Sequence, residues 1–291
     1  MGGVMPIRIA VLRLFSCCYV VLISSILISV PYQLIAQQDN GIRQNTQQES
    51  SEFEFFTLQL NDVYGERYQY TGQILNGKAY GIGEAQYEDG SHYIGEFINN
   101  TFYGDGVFNF ANGDVYRGEF KHDLFHGYGI YEWSDGDIYK GNWKQGKKHG
   151  EGAYWLVNGN VYKGKWKEGK KHGFGKYEFG NGDYYQGEFR DNKFNGKGLS
   201  VTADGSVYIG EWENGEPHGR RLFENENGEV YAGEVEKGEP LGKGAYWWSY
   251  NHKYIGEFYF GQFHGHGIYI DYSVPEELIG KWIAGEYQED E

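Results

Sequence analysis

The sequence predicts an all-β protein, an elongated, twisted antiparallel sheet of tandem 23-residue β-hairpin repeats. Three observations carry that expectation. A Tyr-x-Gly unit starts at Tyr70, Tyr93, Tyr116, Tyr139, Tyr162, Tyr185, Tyr208, Tyr231 and Tyr254, every step being 23 residues, and a fixed period of this kind marks a repeat architecture. Counted from that Tyr, positions 12 and 14 are glycine in almost every unit, as in Gly104 with Gly106 and Gly150 with Gly152. Between Tyr70 and Tyr272 stand 43 Phe, Tyr and Trp against 24 Leu, Ile and Val. The buried material is therefore mostly aromatic rings.

The elements follow in chain order. Residues 1–36 read as a signal peptide or an N-terminal membrane anchor: Arg8 and Arg13 precede an uncharged stretch whose apolar centre, Cys17 to Val30, spans 14 residues. That length suits a signal core, whereas a membrane span needs roughly 20. A cleavage site would end at Ala36, and without cleavage Leu14 to Ala36 would remain as an anchor. Residues 37–52 are Gln, Asn, Ser and Glu-rich and read as a flexible polar linker. Aromatics and alternation return over 53–69, the expected N-terminal cap. Both cysteines, Cys17 and Cys18, lie in the first segment, so thiol chemistry is excluded from everything after it.

Nine repeats are expected over 70–276, with a degenerate tenth and an acidic tail over 277–291. Each unit offers two strands with period-2 alternation. The first is Tyr-x-Gly-Glu-Phe, and the second is Gly-x-Gly-x-Tyr-x-Trp. Asp-Gly or Asn-Gly pairs such as Asn112-Gly113 and Asp135-Gly136 join one unit to the next. They predict two-residue hairpin turns there, because both central residues of such a turn need positive φ. The connection inside each unit is expected to be the longer loop, of about six residues. In a strand, alternate side chains share a face, so positions 1, 3 and 5 give a face of rings and glycine. Positions 2 and 4, with Glu96, Glu119 and Glu188 at position 4, predict a solvated opposite face.

The chain carries a formal charge of −15, which excludes nucleic acid as a partner for the molecule as a whole. Residues 140–176 nevertheless hold ten lysines against only Glu151 and Glu168, a strong local inversion of sign. The candidate anionic-partner site is Lys140, Lys144, Lys147, Lys148, Lys163, Lys165, Lys167, Lys170 and Lys171. Lys140, Lys163 and Lys165 are expected on one sheet face, with Lys147, Lys148, Lys170 and Lys171 extending the patch from equivalent loops. The alternative is that these lysines only keep the loops soluble.

Other constellations carry less. His126, His149, His172, His218 and His264 recur at one position of the repeat, but equivalent positions two strands away are roughly 9.6 Å apart, while zinc needs its ligands about 2 Å from one centre. No metal, cofactor or catalytic residue is assigned. The glycine spacings lack the following helix that a phosphate loop needs, and no kinase catalytic-loop motif occurs.

Tyr-x-Gly-Glu-[Phe/Trp] followed by [His/Asn/Tyr]-Gly-x-Gly-x-[Tyr/Phe], running from Tyr70 to about Trp282, resembles the MORN (membrane occupation and recognition nexus) repeat. That resemblance implies an extended hairpin sheet and a non-enzymatic scaffold or binding role, and the N-terminal segment is expected to make the protein exported or membrane-tethered. The resemblance implies protein partners or an anionic phospholipid surface. A second reading is a cell-envelope glycan stacked on an aromatic face of Trp133, Trp143, Trp166 and Trp212. The residues leave the oligomeric state open.

Overall fold

The computed structural model describes residues 54–249, 251–274 and 277–289, so the segments assigned to 1–36 and 37–52 lie outside the described residues. All regular structure in the described residues is β. The stretch read as a cap contributes β1 (Glu54–Asn61), which pairs with β2 (Arg67–Leu75), and β3 (Lys78–Tyr87) completes the first unit. Units two to five are β4 (His92–Ile98) with β5 (Thr101–Asn109), β6 (Val115–Lys121) with β7 (Leu124–Glu132), β8 (Ile138–Lys144) with β9 (Lys147–Trp155), and β10 (Val161–Lys167) with β11 (Lys170–Glu178). Units six to nine are β12 (Tyr184–Arg190) with β13 (Lys193–Val201), β14 (Val207–Glu213) with β15 (Glu216–Glu224), β16 (Val230–Glu236) with β17 (Glu239–Ser249), and β18 (His252–Tyr259) with β19 (Gln262–Asp271). The degenerate tenth unit forms β20 (Glu277–Ile283) and the short β21 (Glu286–Gln288). Each strand pairs antiparallel with the one that follows it, from the first pair to the last, giving one open meander of 21 strands.

The two kinds of turn are exchanged relative to expectation. Inside unit three, β6 and β7 are joined by His122 and Asp123 alone, with φ of 52° and 65°, which is a type I′ hairpin turn. Gln145-Gly146 and Glu168-Gly169 do the same in units four and five. The second strand of each unit thus begins well before the Gly-x-Gly. The Asn-Gly pairs sit instead in longer connections. Between β5 and β6, Phe110 N–H donates to the Asp114 carbonyl at 2.9 Å and Gly113 N–H donates to the Phe110 carbonyl at 3.0 Å. Gly113 alone takes positive φ there, +90°, as in a three-residue turn closed by a glycine bulge. The Asn112 side chain accepts the Asp114 N–H at 3.0 Å, so its role is an Asx-type turn rather than left-handed backbone.

The core is one repeated contact. In unit three, Gly118 and Gly129 face each other across β6 and β7, and the Tyr116 ring lies over both. A Cβ on Gly129 would stand 2.3 Å from the Tyr116 hydroxyl oxygen, and one on Gly118 would stand 2.5 Å from the Gly129 Cα. The hydroxyl donates to the Glu119 carbonyl at 3.0 Å, so the ring is fully buried without an orphaned polar group. Position 5 then locks neighbouring units together. Trp143 meets Tyr139 of its own unit edge-on at 5.1 Å and Tyr116 of the preceding unit at 5.6 Å, a geometry worth roughly 0.5–1.5 kcal/mol per pair beyond area burial.

Both margins of the sheet are stitched as well. The turn amide Asp123 N–H donates back to the Phe102 carbonyl at 3.2 Å, and Gly146 N–H donates to the Phe125 carbonyl at 2.9 Å. On the other margin Asp114 accepts the Tyr131 hydroxyl at 2.8 Å and the Ser134 N–H at 2.8 Å. Asp137 accepts Tyr154 and Val157 in the same way.

Unit seven interrupts the pattern. Arg221 stands where the other units have glycine, opposite Gly210, and its guanidinium lies 5.0 Å over Tyr231 and 5.9 Å over Tyr208. The buried rings accordingly fall into two clusters, one ending near Phe189 and one starting at Tyr231.

The roofed glycines give a direct prediction. Gly152→Ala, whose Cβ would lie 2.3 Å from the Tyr139 hydroxyl oxygen, should destabilise the sheet by about 1–3 kcal/mol through overpacking. Thermal unfolding measures it, and an unchanged midpoint would remove the ring-over-glycine contact as the basis of the core.

Candidate functional site

Strand alternation divides the nine candidate lysines between two faces. Tyr139, Gly141 and Trp143 of β8 point to the aromatic face, and Lys140, Lys144 and the intervening Asn142 point to the other. In β10, Lys163, Lys165 and Lys167 do the same. Lys144 is directly opposite Lys147, and Lys167 is opposite Lys170, so these four share the outer face too. All seven are exposed. Lys140, Lys163 and Lys165 therefore do lie on one face, with Lys140 and Lys163 separated by Ala153 of β9.

Some of this charge is matched within the patch. Lys147 Nζ lies 3.0 Å from Glu168 Oε2 and Lys170 Nζ 3.9 Å from Asp191 Oδ1. The hydrogen bond from Lys147 holds the Glu168 carboxyl below the usual carboxylate range. Lys140 Nζ stands 5.6 Å over the Trp155 ring on the same face. Lys144 facing Lys147 and Lys167 facing Lys170 set like charges in direct cross-strand register, which is unfavourable for the sheet itself.

Lys148 and Lys171 do not extend this patch, contrary to the expectation from loop spacing. With the two-residue turn in place, both fall one position inside the second strand, on the aromatic face. Lys148 is opposite Trp143 and Lys171 is opposite Trp166. They occupy position 10, where Phe102, Phe125, Phe194 and Phe263 stack on the unit's Tyr at 3.8–3.9 Å. Lys148 Nζ sits 4.0 Å over Tyr154, 4.8 Å over Trp133, 5.0 Å over Trp166 and 5.3 Å over Tyr139. Lys171 Nζ lies 4.0 Å over Tyr177 and 5.5 Å over Tyr162. Cation–π attraction replaces ring stacking, and burial pushes both ammonium groups down to about 8.

The four tryptophans of the candidate aromatic face are packed rather than presented. Trp143 and Trp166 are buried, at 6% and 5% exposure, and their indole N–H groups donate to the Gly129 and Gly152 carbonyls at 3.4 and 3.2 Å. Trp133 packs between Tyr131 and Tyr154, with Lys148 above it. Trp212 meets Tyr185, Phe194 and Tyr208 edge-on. None of these four rings is among the exposed large side chains.

Between units four and five a groove of about 290 Å³ is lined by His149, Glu151, Lys165, Trp166, Lys167 and His172. The Nδ1 atoms of His149 and His172 are buried without a hydrogen-bond partner. Among the described residues no group of three or more His, Cys, Asp and Glu is placed to hold a metal ion. The position-4 acids, read as solvated, have a structural task. Two extra residues bulge each second strand between Gly129 and His126, and Glu119 Oε1 accepts the Tyr128 N–H of that bulge at 2.9 Å. Unit five has Lys165 at this position, which frees its charge for the outer face.

The buried lysines fix a pH dependence. Their folded values near 8 lie below the ordinary 10.5, so between those values the unfolded chain binds more protons and stability rises with pH. Above about 10 the buried tyrosines reverse the trend, since burial raises Tyr254 to about 12 and the unfolded chain then loses protons first. Lys148→Met with Lys171→Met should flatten the rise between pH 8 and 10, as read from melting temperature against pH. Equal slopes in wild type and variant would show that these ammonium groups are not buried.

Solved structures similar to this chain include the TCP domain of SAS-4 (dCPAP) from Drosophila melanogaster, in complex with a proline-rich motif of Ana2. It is 12% identical, covers 67% of this chain and 99% of its own, and has a TM-score of 0.35. The TCP10 domain of Danio rerio CPAP, in complex with a STIL peptide, is 10% identical over 75% of this chain and 95% of its own, with a TM-score of 0.38. No curated protein matches the sequence. The MORN repeat family model matches residues 93–115, 116–138, 139–161, 162–184, 185–207, 208–220, 231–249 and 254–273, each stretch beginning at the first tyrosine of a unit. The chain belongs to the MORN repeat family.

Proposed function

We propose that this MORN-repeat protein is a non-enzymatic binding scaffold that docks an anionic partner on the outer face of units four and five. The observation that carries the reading is the convergence of seven exposed lysines, Lys140, Lys144, Lys147, Lys163, Lys165, Lys167 and Lys170, on one face of four adjacent strands. Two of their pairs stand in directly opposed register. The fold gains nothing from that arrangement, while a surface that must attract negative charge does. At physiological salt the screening length is roughly 8 Å, so a partner touching the patch senses its lysines and is little affected by the acidic units beyond.

An anionic phospholipid surface is the first partner class, because the lysines are spread over a strand face and only Lys165 and Lys167 among them line the groove. Changing all seven to Gln leaves every roofing tyrosine and turn glycine in place, so the sheet should fold. Wild type is expected to bind phosphatidylserine vesicles at low salt and to release them at high salt, and the Gln variant to bind far more weakly. Equal binding by the two proteins would reduce the patch to a solubilising surface.

We further propose export or membrane tethering through residues 1–36, which the charge and apolar length of that segment support. Mass spectrometry of the protein from its native host is expected to find a chain starting at Gln37. An intact Met1 chain in the soluble fraction would refute both forms of this reading.

A further inference from the structure

The outer face was expected to be polar throughout, yet from β13 to β20 its middle row is aliphatic. The registers set Ala232 beside Ala245 at the centre of this row. Moving outward on either side come Leu222 and Ile255, then Ile209 and Ile268, then Leu199 and Ile279. None of the eight is buried, and Ile255 and Ile279 are 43% and 61% exposed. The row is continuous over eight strands. In the N-terminal units the same row is broken by Glu84 and Arg117.

We propose that this face binds a second copy of the chain, in a face-to-face pair whose two-fold axis runs parallel to the strands between β16 and β17. Such an axis sets each strand against the one equally far on the other side of the centre. The small Ala232 then meets Ala245 of the second copy, and the large pairs meet in the same manner: Leu222 with Ile255, Ile209 with Ile268.

The two flanking rows obey the same symmetry. On one side the charges alternate from Lys197 to Glu257, so that reversal places Arg220 against Glu257 and Glu234 against Lys243 of the second copy, with Glu211 set to accept a hydrogen bond from its His266. On the other side it places Val230 against Trp247, Val207 against Ile270 and Glu224 against Lys253. Mismatches are confined to the outermost strands, Lys197 against Lys281 and Val201 against Glu277, at the solvated rim of the pair, where salt screens like charges. Self-complementarity of this kind is what a two-fold interface requires.

Eight strands at about 4.8 Å, with three rows along each, make a face of roughly 700 Å² per copy. That approaches the roughly 800 Å² per partner of a stable interface. A membrane is the poorer occupant, since Glu211, Glu234 and Glu257 on this face would be repelled by anionic head groups. The lysines of β8–β11 lie beyond the pair's edge and stay open.

Sedimentation equilibrium of the purified full-length chain tests the proposal, with circular dichroism to confirm folding of each variant. Wild type is expected to pass from monomer to dimer as concentration rises. Ile209→Lys, which acts twice in each pair, should weaken association by more than about tenfold. Arg220→Glu and Glu257→Arg should each weaken it several-fold by opposing like charges, and the double exchange should recover it, which a non-specifically sticky face would not do. A chain that stays monomeric, association indifferent to Ile209→Lys, no recovery in the double exchange, or vesicle binding lost with Ile209→Lys in place of dimerisation would overturn the proposal. The seven-lysine Gln variant should dimerise normally, so failure of this inference leaves the docking reading intact, and the reverse.

Discussion

A tyrosine ring lying flat on two facing glycines is the contact on which the rest of the structure depends. Glycine in a strand loses packing and conformational entropy, and here the ring supplies the missing contact from above. Because Tyr116 fits only where Gly118 and Gly129 stand opposite each other, the contact also fixes strand register. A slip by one residue would turn the ring away from its seat and every side chain to the wrong face. The 23-residue period is the spacing that reproduces this seat along the chain, and the position-5 ring then couples each seat to the next.

Substitutions within this scheme show how the array admits charge. At position 10 a phenylalanine closes the tyrosine from outside in four units, at Phe102, Phe125, Phe194 and Phe263. Lys148 and Lys171 take its place with their ammonium groups over several rings, which compensates part of the cost of desolvating them. At position 14, Arg221 replaces a roofed glycine and stands among Tyr208, Phe223 and Tyr231. Its side chain occupies space that the ring would cover, and the continuous aromatic core divides there. Repeat arrays tolerate such local exceptions because each unit depends mainly on its neighbours.

The two faces consequently have different duties. The roofing tyrosines and position-5 rings of the aromatic face are taken up by packing within and between units, and the outer face carries no such packing role. There the side chains are free to vary without disturbing the seats below, and the outer face changes character along the array, from basic in β8–β11 to aliphatic from β13 onward. A repeat protein can in this way carry separate surfaces on one uniform frame.

Much of this was legible in the residues. Tyr-x-Gly and Gly-x-Gly at a fixed period determine an antiparallel hairpin sheet with a ring-and-glycine face, and strand alternation places Lys140, Lys163 and Lys165 together on the other. The turn types were not legible, because Asn-Gly satisfies a two-residue turn and a bulged three-residue turn equally well, and only the pairing of Phe110 with Asp114 chooses between them. That choice moved the strand boundaries and carried Lys148 and Lys171 from an imagined loop into the aromatic stack. The aliphatic row escaped for a related reason. Its members come from eight strands and are about a dozen residues apart in sequence, alternating between positions 2 and 15 of successive units. Period and composition determined the repeating contact; only the inter-strand register, which decides what stands beside what, could gather those residues into a surface.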